Sequence, residues 1–156
     1  MNKTNAMRIL DRFQIVYEVR TYKVEESDLS AEHVADQIGL PAEQVFKTLV
    51  ARTDQREVVL ACVPGNSELD VKKLGATAGG KRADLVPLKE VHELTGYIRG
   101  GVSPLGAHKD FRVFLDETAV LWDVMSISAG QRGIQILLAP DDLIRATHAV
   151  VCEICK

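Results

Sequence analysis

The sequence is poor in the features that mark secreted, disulfide-bonded or membrane proteins. It has three cysteines and five prolines among 156 residues, and aromatic residues make up 5% of the chain. An odd number of cysteines does not form a complete set of disulfides, which favours a reducing compartment. The first residues lack the apolar stretch of a signal peptide, and no apolar run approaches the roughly eighteen residues of a membrane span. We therefore expect a cytoplasmic protein that does not contact membranes.

The residues that are present have the composition of an ordinary folded domain. Apolar residues make up 46% of the chain and charged residues 26%, which suffices for a core without metals or disulfides. We expect one domain over residues 1–156. Short helices alternate irregularly with short strands, which predicts an α+β fold with a mixed or antiparallel sheet. The pattern predicts a helix between Ser30 and Gly39, a hairpin of strands at 46–52 and 58–63, and a further strand at 120–122.

The formal net charge of −3 hides an uneven distribution. Residues 72–112 carry eight basic and four acidic side chains, whereas residues 1–71 and 113–156 are both net acidic. A net charge of +4 in the middle segment attracts a polyanion such as the end of a nucleic acid, even on an acidic protein. A chance fluctuation on a solvated surface explains the same numbers, so the charge pattern leaves both interpretations open.

Two short motifs have familiar spacings but incomplete contexts. Residues 75–81 match the G-x-x-x-x-G-K part of a phosphate-binding loop, but Arg82 follows where the motif needs a hydroxyl, and the preceding residues are predicted to be helical. A glycine-rich turn is the better interpretation. Cys152 and Cys155 form a C-x-x-C without a second pair, which favours incidental thiols over a zinc or redox site. The four histidines are widely spaced, so we expect no metal and no cofactor.

Lys47 interrupts an apolar strand. With a period of two it shares a face with Leu49, whereas Phe46 and Thr48 face the other side. A lysine in this position either extends along the apolar surface to reach water or points into a pocket. In a pocket it offers a fixed positive charge to a phosphate or to a developing oxyanion, as acyl-transfer chemistry requires.

Two glycine-rich loops add candidate binding elements. Residues 96–106 contain four glycines, Ser103 and an arginine, and residues 128–133 form a second loop ahead of a strand. Glycines permit close approach of the backbone to a ligand and leave amides free to donate. Ser103 lacks the glycine two residues later that marks a nucleophile elbow, although a triad with His108 stays open. Two ordinary hairpin turns explain the loops equally well.

Taken together, these motifs resemble the YbaK family of aminoacyl-tRNA deacylases. The resemblance rests on the strand around Lys47, on the strings G-G-V-S-P-L-G at 100–106 and S-A-G-Q-R-G at 128–133, and on A-P-D-D-L at 139–143. It runs in order over nearly the whole chain. The family is similar to the editing domain inserted in bacterial prolyl-tRNA synthetases. The resemblance implies a single α+β domain around a bent, barrel-like mixed sheet flanked by helices.

The resemblance also implies a reaction and a set of site residues. Members of this type release cysteine from mischarged Cys-tRNA(Pro), some also from Cys-tRNA(Cys), without a cofactor, and the substrate thiol is thought to attack its own ester. The implied partners are the acceptor end of the tRNA and a prolyl-tRNA synthetase. Lys47 matches the essential lysine of the family. The residues that match its substrate-binding positions are Tyr22, Thr48, Gly100, Gly101, Ser103 and Ser128.

Three residues depart from the family pattern. Ala129 stands where a second glycine is usual, Gln131 where a lysine is common, and Gln135 where many members carry a carboxylate. These departures leave open a deacylase for Ala-tRNA(Pro), or a non-catalytic module that binds tRNA or a synthetase. A redox or zinc protein that uses Cys152 and Cys155 is a third hypothesis.

Overall fold

The computed structural model describes residues 2–156, which form an α+β fold. Helices α1 to α5 span Asn5–Arg12, Ala31–Ile38, Val71–Thr77, Val91–Thr95 and Pro140–Thr147. Strands β1 to β8 span Glu18–Thr21, Phe46–Thr53, Val58–Pro64, Ala83–Leu85, Arg112–Asp116, Met125–Ser128, Ile134–Leu138 and Val150–Cys152. Turns of 3-10 helix cover Ala42–Gln44, Leu88–Glu90 and Glu117–Leu121. Within residues 2–156 no helix combines the length and the apolar character needed to cross a membrane.

The strands form two sheets instead of one. Strands β1, β7 and β6 make an antiparallel sheet in that order, and β4, β2, β3, β5 and β8 make a mixed sheet. The α+β prediction is therefore confirmed, but the sheets do not close into the expected barrel-like arrangement. They meet at a parallel bridge between Val45 and Ser126. Beyond it β2 pairs with β3 and β4 while β6 pairs with β7, so the two strands follow different neighbours and a gap opens between them.

The five-stranded sheet is covered on both faces. Alternate residues of β2, such as Phe46 and Val50, face the larger core, which also contains Leu10 of α1 and Ile136 of β7. The opposite face packs against α3 and the C-terminal residues, with Leu74, Ala78 and Ile154 among the buried side chains there. Burying one large apolar side chain contributes about 1.5–3 kcal/mol. The register of β2 is therefore strongly specified, because a slip of one residue would move its side chains to the opposite face and place Lys47 in the larger core.

Local signals explain where the predicted elements succeed and fail. Ser30 accepts a hydrogen bond from the His33 amide and Gly39 adopts a φ of 75°, so α2 begins and ends as predicted. The predicted strand at 120–122 is wrong, because a 3-10 turn covers Glu117–Leu121. This turn is capped by the Asp116 carboxylate, which accepts a hydrogen bond from the Thr118 amide. Strand β6 was not predicted. Its four residues are all buried and show no alternation.

Candidate active site

A cleft of about 620 Å³ lies along one edge of β2. Its walls come from the loop before α2, from β2 itself, from the segment around β4 and α4, and from both glycine-rich loops. The lining residues with polar or charged side chains are Ser27, Asp28, Ser30, Glu32, Lys47, Thr48, Arg99, Ser128 and Gln135. The sequence-predicted residues Lys47, Thr48, Gly100 and Ser128 are therefore brought together.

The cleft exists because β2 is paired unequally on its two edges. Strand β3 pairs with β2 from Phe46 to Arg52, but β4 pairs with it only over the last three residues, starting at Ala51. The Val50 carbonyl still accepts a hydrogen bond from the Val86 amide at 3.0 Å. Backbone groups two residues apart on a strand point to the same edge, so those of Thr48 point into the cleft. The start of β2 thus presents backbone donors and acceptors to a ligand.

Lys47 lies on the β2 face that the sequence predicted. Leu49 packs into the core beside α3, whereas Phe46 packs into the larger core, and Lys47 alternates with Leu49. Its Nζ donates a hydrogen bond to the Gly65 carbonyl at 3.2 Å. Among residues 2–156 no carboxylate lies within ion-pair distance of this ammonium group. Its positive charge is therefore uncompensated at the wall of the cleft.

Thr48 of β2 and Ser128 of β6 border the cleft from strands of different sheets. The Thr48 hydroxyl contacts the Cys62 thiol at 3.7 Å and is buried, so the backbone of this residue is its accessible part. The Ser128 hydroxyl accepts a hydrogen bond from the Gly130 amide at 3.1 Å. Ser128 pairs in register with Gln135 of β7. These residues form a polar patch where the two sheets separate.

Gln135 has a fixed orientation in this patch. The Ser126 hydroxyl donates to Gln135 Oε1 at 2.7 Å, and the Gln135 side chain is otherwise enclosed, with 5% of the residue exposed. The Nε2 group has no hydrogen-bond partner among residues 2–156. Gln135 therefore offers donor groups at a position lining the cleft, where a carboxylate would offer only acceptors.

The 96–106 loop contributes Gly100 to the cleft and keeps Gly101 behind it. Gly100 has a φ of 84° and lies against the Leu29 side chain, which brings the loop to the opposite wall. The Gly101 amide donates to the Ile98 carbonyl at 2.9 Å, and a Cβ on Gly101 would lie 3.2 Å from the Arg132 nitrogen. Gly101 is thus a close-packing position whose amide is already used.

Tyr22 and Ser103 also lie outside the lining of the cleft. Tyr22 packs against the small core beside α2, and its amide donates to the Gly133 carbonyl at 2.9 Å. Ser103 is fully buried, and its hydroxyl accepts a hydrogen bond from the Leu105 amide at 3.3 Å. No hydrogen bond joins Ser103 to His108 in the described residues. The structure therefore offers no support for a triad in this loop.

Tyr97 joins the two glycine-rich loops. Its hydroxyl donates to the Leu105 carbonyl at 2.5 Å, and its ring lies where a Cβ on Gly130 would come within 2.9 Å. Burial raises the pKa of Tyr97 to about 12, so the phenol stays protonated and keeps donating. Arg132 adds a second link between the loops, because its Nε donates to the Arg99 carbonyl at 2.7 Å.

The sequence did not single out several other residues that line the cleft. Arg99 borders it, and the Arg99 guanidinium has no hydrogen-bond or ion-pair partner among residues 2–156. Leu85 and Leu88 also border it, although each is more than half exposed. Arg99 could have been inferred from its place before Gly100. Leu85 and Leu88 carry no sequence signal, because single exposed apolar residues are common on protein surfaces.

The basic middle segment is partly neutralised in the structure. Lys73, Arg82 and Arg112 each pair with a carboxylate, at N···O distances of 2.6 to 2.8 Å. Positive charge at the cleft itself comes from Lys47 and Arg99. The net charge of +4 on residues 72–112 therefore overstates the positive charge that a ligand in the cleft would meet.

The C-terminal cysteines lie in a different environment. Burial, followed by the Asp116 carboxylate, raises the pKa of Cys155 to about 12 and that of Cys152 to about 11. Both side chains remain protonated thiols near neutral pH, which makes them poor nucleophiles. Within residues 2–156 no three His, Cys, Asp or Glu side chains are grouped closely enough to hold a metal ion.

Comparison with known proteins adds information on ancestry. A family model described as the aminoacyl-tRNA editing domain matches residues 25–146. The "Putative Cys-tRNA(Pro)/Cys-tRNA(Cys) deacylase EbsC" of Enterococcus faecalis is 41% identical over 152 residues, which cover 97% of this chain and 93% of that protein. The "Multifunctional Ser/Thr-tRNA deacylase ProXp-y" of Escherichia coli K12 is 29% identical over 118 residues, covering 73% and 71%.

Solved structures share the fold. One described as "a putative trans-editing enzyme for prolyl tRNA synthetase" superposes with a TM-score of 0.81 at 24% identity, covering 100% of this chain and 99% of the other. At this level of identity the likeness concerns the fold alone.

Proposed function

The chain belongs to the family of aminoacyl-tRNA editing domains and is an aminoacyl-tRNA deacylase, and from this premise we propose that it removes cysteine from mischarged Cys-tRNA(Pro). The observation that carries the proposal is the uncompensated Lys47 ammonium, at the unpaired edge of β2 and in the same cleft as Gly100. The named activity of EbsC, whose identity to this chain extends over nearly all of both proteins, supports the choice of cysteine.

The proposed reaction needs no nucleophile from the protein. The cysteinyl thiol attacks the carbonyl carbon of its own ester, so a C–S bond forms and the C–O bond to the ribose breaks. The thiol proton ends on the released ribose oxygen, and the products are a thiolactone and free tRNA. Lys47 stabilises the negative charge that develops on the carbonyl oxygen, and the Thr48 backbone amide adds a donor from the same strand.

The remaining candidate residues divide by position. We propose that Gly100 and Ser128 contact the substrate directly, since both line the cleft. Tyr22, Gly101 and Ser103 keep their assignment to substrate binding as residues that shape the walls. Tyr22 packs against the small core beneath α2. Ser103 accepts a hydrogen bond from the Leu105 amide and so fixes the turn whose Leu105 carbonyl accepts from the Tyr97 hydroxyl.

An editing site of this kind has a clear physical purpose. A synthetase pocket for proline cannot exclude cysteine by size, because cysteine is no bulkier, and a second, deacylating site supplies the missing discrimination. We propose that a prolyl-tRNA synthetase is the partner in the cytoplasm, where aminoacyl-tRNAs are used. Asp28 and Glu32 line the cleft together with Lys47 and Arg99, so contact with the tRNA end relies on the two local cations and further binding is left to that partner. The editing domain comprises residues 1–156, since α1 supplies Leu10 to the larger core.

The test is a deacylation panel with Cys-, Ala- and Ser-tRNA(Pro) and Cys-tRNA(Cys), with and without the synthetase. The proposal expects Cys-tRNA(Pro) to be the preferred substrate among the three amino acids. Preference for Ala-tRNA(Pro) would instead establish the alanine-specific alternative. Binding of mischarged tRNA without release of any amino acid would contradict the proposal.

A further inference from the structure

The cleft continues beyond its polar patch into an apolar wall. Leu49, Leu85 and Leu88 line it, and together we call them the leucine shelf. Leu85 is 53% exposed and Leu88 57% exposed, although both belong to short ordered segments. Two leucines with this much exposed surface, both lining a cleft, offer apolar area that a bound ligand can shield from water.

Leu85 of the leucine shelf lies at a defined distance from Lys47 along β2. Leu85 pairs with Ala51, and residues directly opposite on antiparallel strands have side chains on the same face. Lys47, Leu49 and Ala51 alternate along that face, so Leu85 shares it with Lys47. Ala51 is four residues from Lys47, which corresponds to about 13 Å at roughly 3.3 Å per residue. That is about the length of an aminoacylated nucleoside.

We propose that the leucine shelf receives the terminal adenine base of the tRNA acceptor end while the aminoacyl ester lies at Lys47. This rests on the proposed function, which places the ester at Lys47. A volume of about 620 Å³ exceeds what a cysteinyl group alone would fill. The nucleoside esterified to that group must lie next to it, and the shelf lines the same cleft as Lys47. Arg99, uncompensated and lining the same cleft, is placed to meet the adjoining phosphate.

The contact proposed here is apolar and does not read base edges. The base lies on aliphatic side chains, and its removal from water provides the affinity. Stacking of a base on an aromatic side chain is worth about 1–3 kcal/mol when that side chain is truncated, which corresponds to roughly 5- to 150-fold in affinity. We expect a change near the lower part of that range, because leucine lacks a flat ring.

The experiment measures binding of adenosine 5′-monophosphate, uridine 5′-monophosphate and ribose 5-phosphate to the full chain by nuclear magnetic resonance titration. A double variant, Leu85→Ser with Leu88→Ser, is compared with wild type and with Leu121→Ser. Leu121 is a matched control, since it is 81% exposed and does not line the cleft. Thermal unfolding of each variant checks folding, which exposed positions should leave intact.

We expect adenosine 5′-monophosphate to bind more tightly than ribose 5-phosphate, and the double variant to weaken that binding about tenfold. KM for Cys-tRNA(Pro) should rise by a similar factor with kcat within about twofold, and Leu121→Ser should change neither. Equal binding of ribose 5-phosphate and the nucleotide, or an unchanged affinity in the double variant, would overturn the shelf assignment. The titration measures binding and does not depend on turnover. If the protein failed to cleave Cys-tRNA(Pro), that result would count against the proposed function, and the titration would still decide the shelf assignment.

Discussion

Lys47 and Cys155 both lie beside the α3 face of the five-stranded sheet, yet their surroundings give them opposite chemical characters. Lys47 borders an open cleft and contacts one carbonyl, at Gly65. Cys155 is partly buried next to the Asp116 carboxylate, which raises its pKa, while Ser67 and the more distant Lys47 lower it by less. Burial and the carboxylate dominate, so the thiol is held protonated. The comparison teaches that access and neighbouring charge, more than residue type, decide which reactive group is available.

The sharpest test of this comparison is removal of the Lys47 ammonium. Lys47→Ala should reduce kcat/KM for Cys-tRNA(Pro) by about 10²- to 10³-fold, because a fixed positive charge near a developing oxyanion contributes on this scale. Single-turnover deacylation measures the effect, and urea unfolding should show a nearly unchanged midpoint. Lys73→Ala is the matched control. Lys73 lies on α3 and forms an ion pair with Glu153, so this variant should alter the rate by less than about twofold. Full activity of Lys47→Ala would remove the assigned role.

A second test compares substrates and leaves the protein unchanged. Ser-tRNA(Pro) should be cleaved at least about tenfold more slowly than Cys-tRNA(Pro), because a hydroxyl at neutral pH is a weaker nucleophile than a thiol. The rates are measured with the same tRNA and saturating enzyme, and release of a thiolactone is followed by mass spectrometry. Equal rates for the two substrates would indicate an activated water instead of the substrate thiol.

Much of this arrangement could be predicted from the sequence, because it depends on local patterns. The alternation around Lys47 predicted its strand face, and Ser30 and Gly39 predicted the bounds of α2. The grouping of Lys47, Gly100 and Ser128 depends on long-range pairing, so the residue pattern left a shared cleft and two ordinary hairpin turns equally open, and the family resemblance favoured the cleft. Strand β6 is buried on all four residues, so it lacks the alternation that identifies a half-buried strand.

The parts of the site that could not be predicted depend on where strands stop pairing. The cleft opens because β4 reaches β2 only from Ala51 onward, and no residue pattern in β2 indicates that limit. For the same reason the exposed Leu85 and Leu88 could not be distinguished from ordinary surface residues. The hydrogen bond from the Gly101 amide to the Ile98 carbonyl belongs to a turn, and the run of glycines alone does not specify the geometry of that turn.

A smaller effect is expected from loosening the 96–106 loop itself. Tyr97→Phe removes the hydrogen bond to the Leu105 carbonyl and should lower the free energy of unfolding by about 1 kcal/mol. Because Gly100 lies on the same loop as this hydrogen bond, kcat/KM should fall by about two- to fivefold through weaker positioning. Chemical unfolding and steady-state kinetics check the two effects. An activity loss as large as that of Lys47→Ala would mean that Tyr97 contacts the reacting atoms.

The smallest effect concerns the other side of the comparison, Cys155. Cys155→Ser should change the deacylation rate by less than about twofold near neutral pH, because the protonated thiol takes no part in the reaction. The effect of Cys155→Ser should instead appear in the stability of the protein at alkaline pH. The folded pKa of about 12 exceeds the reference value of 9.0, so the unfolded chain releases the thiol proton first and stability falls as pH rises from 9 towards 12. Thermal unfolding at pH 8 and pH 10.5 should show a smaller decrease for Cys155→Ser than for wild type. An identical decrease would show that Cys155 ionises alike in the folded and unfolded chain, and the contrast with Lys47 would then rest on access alone.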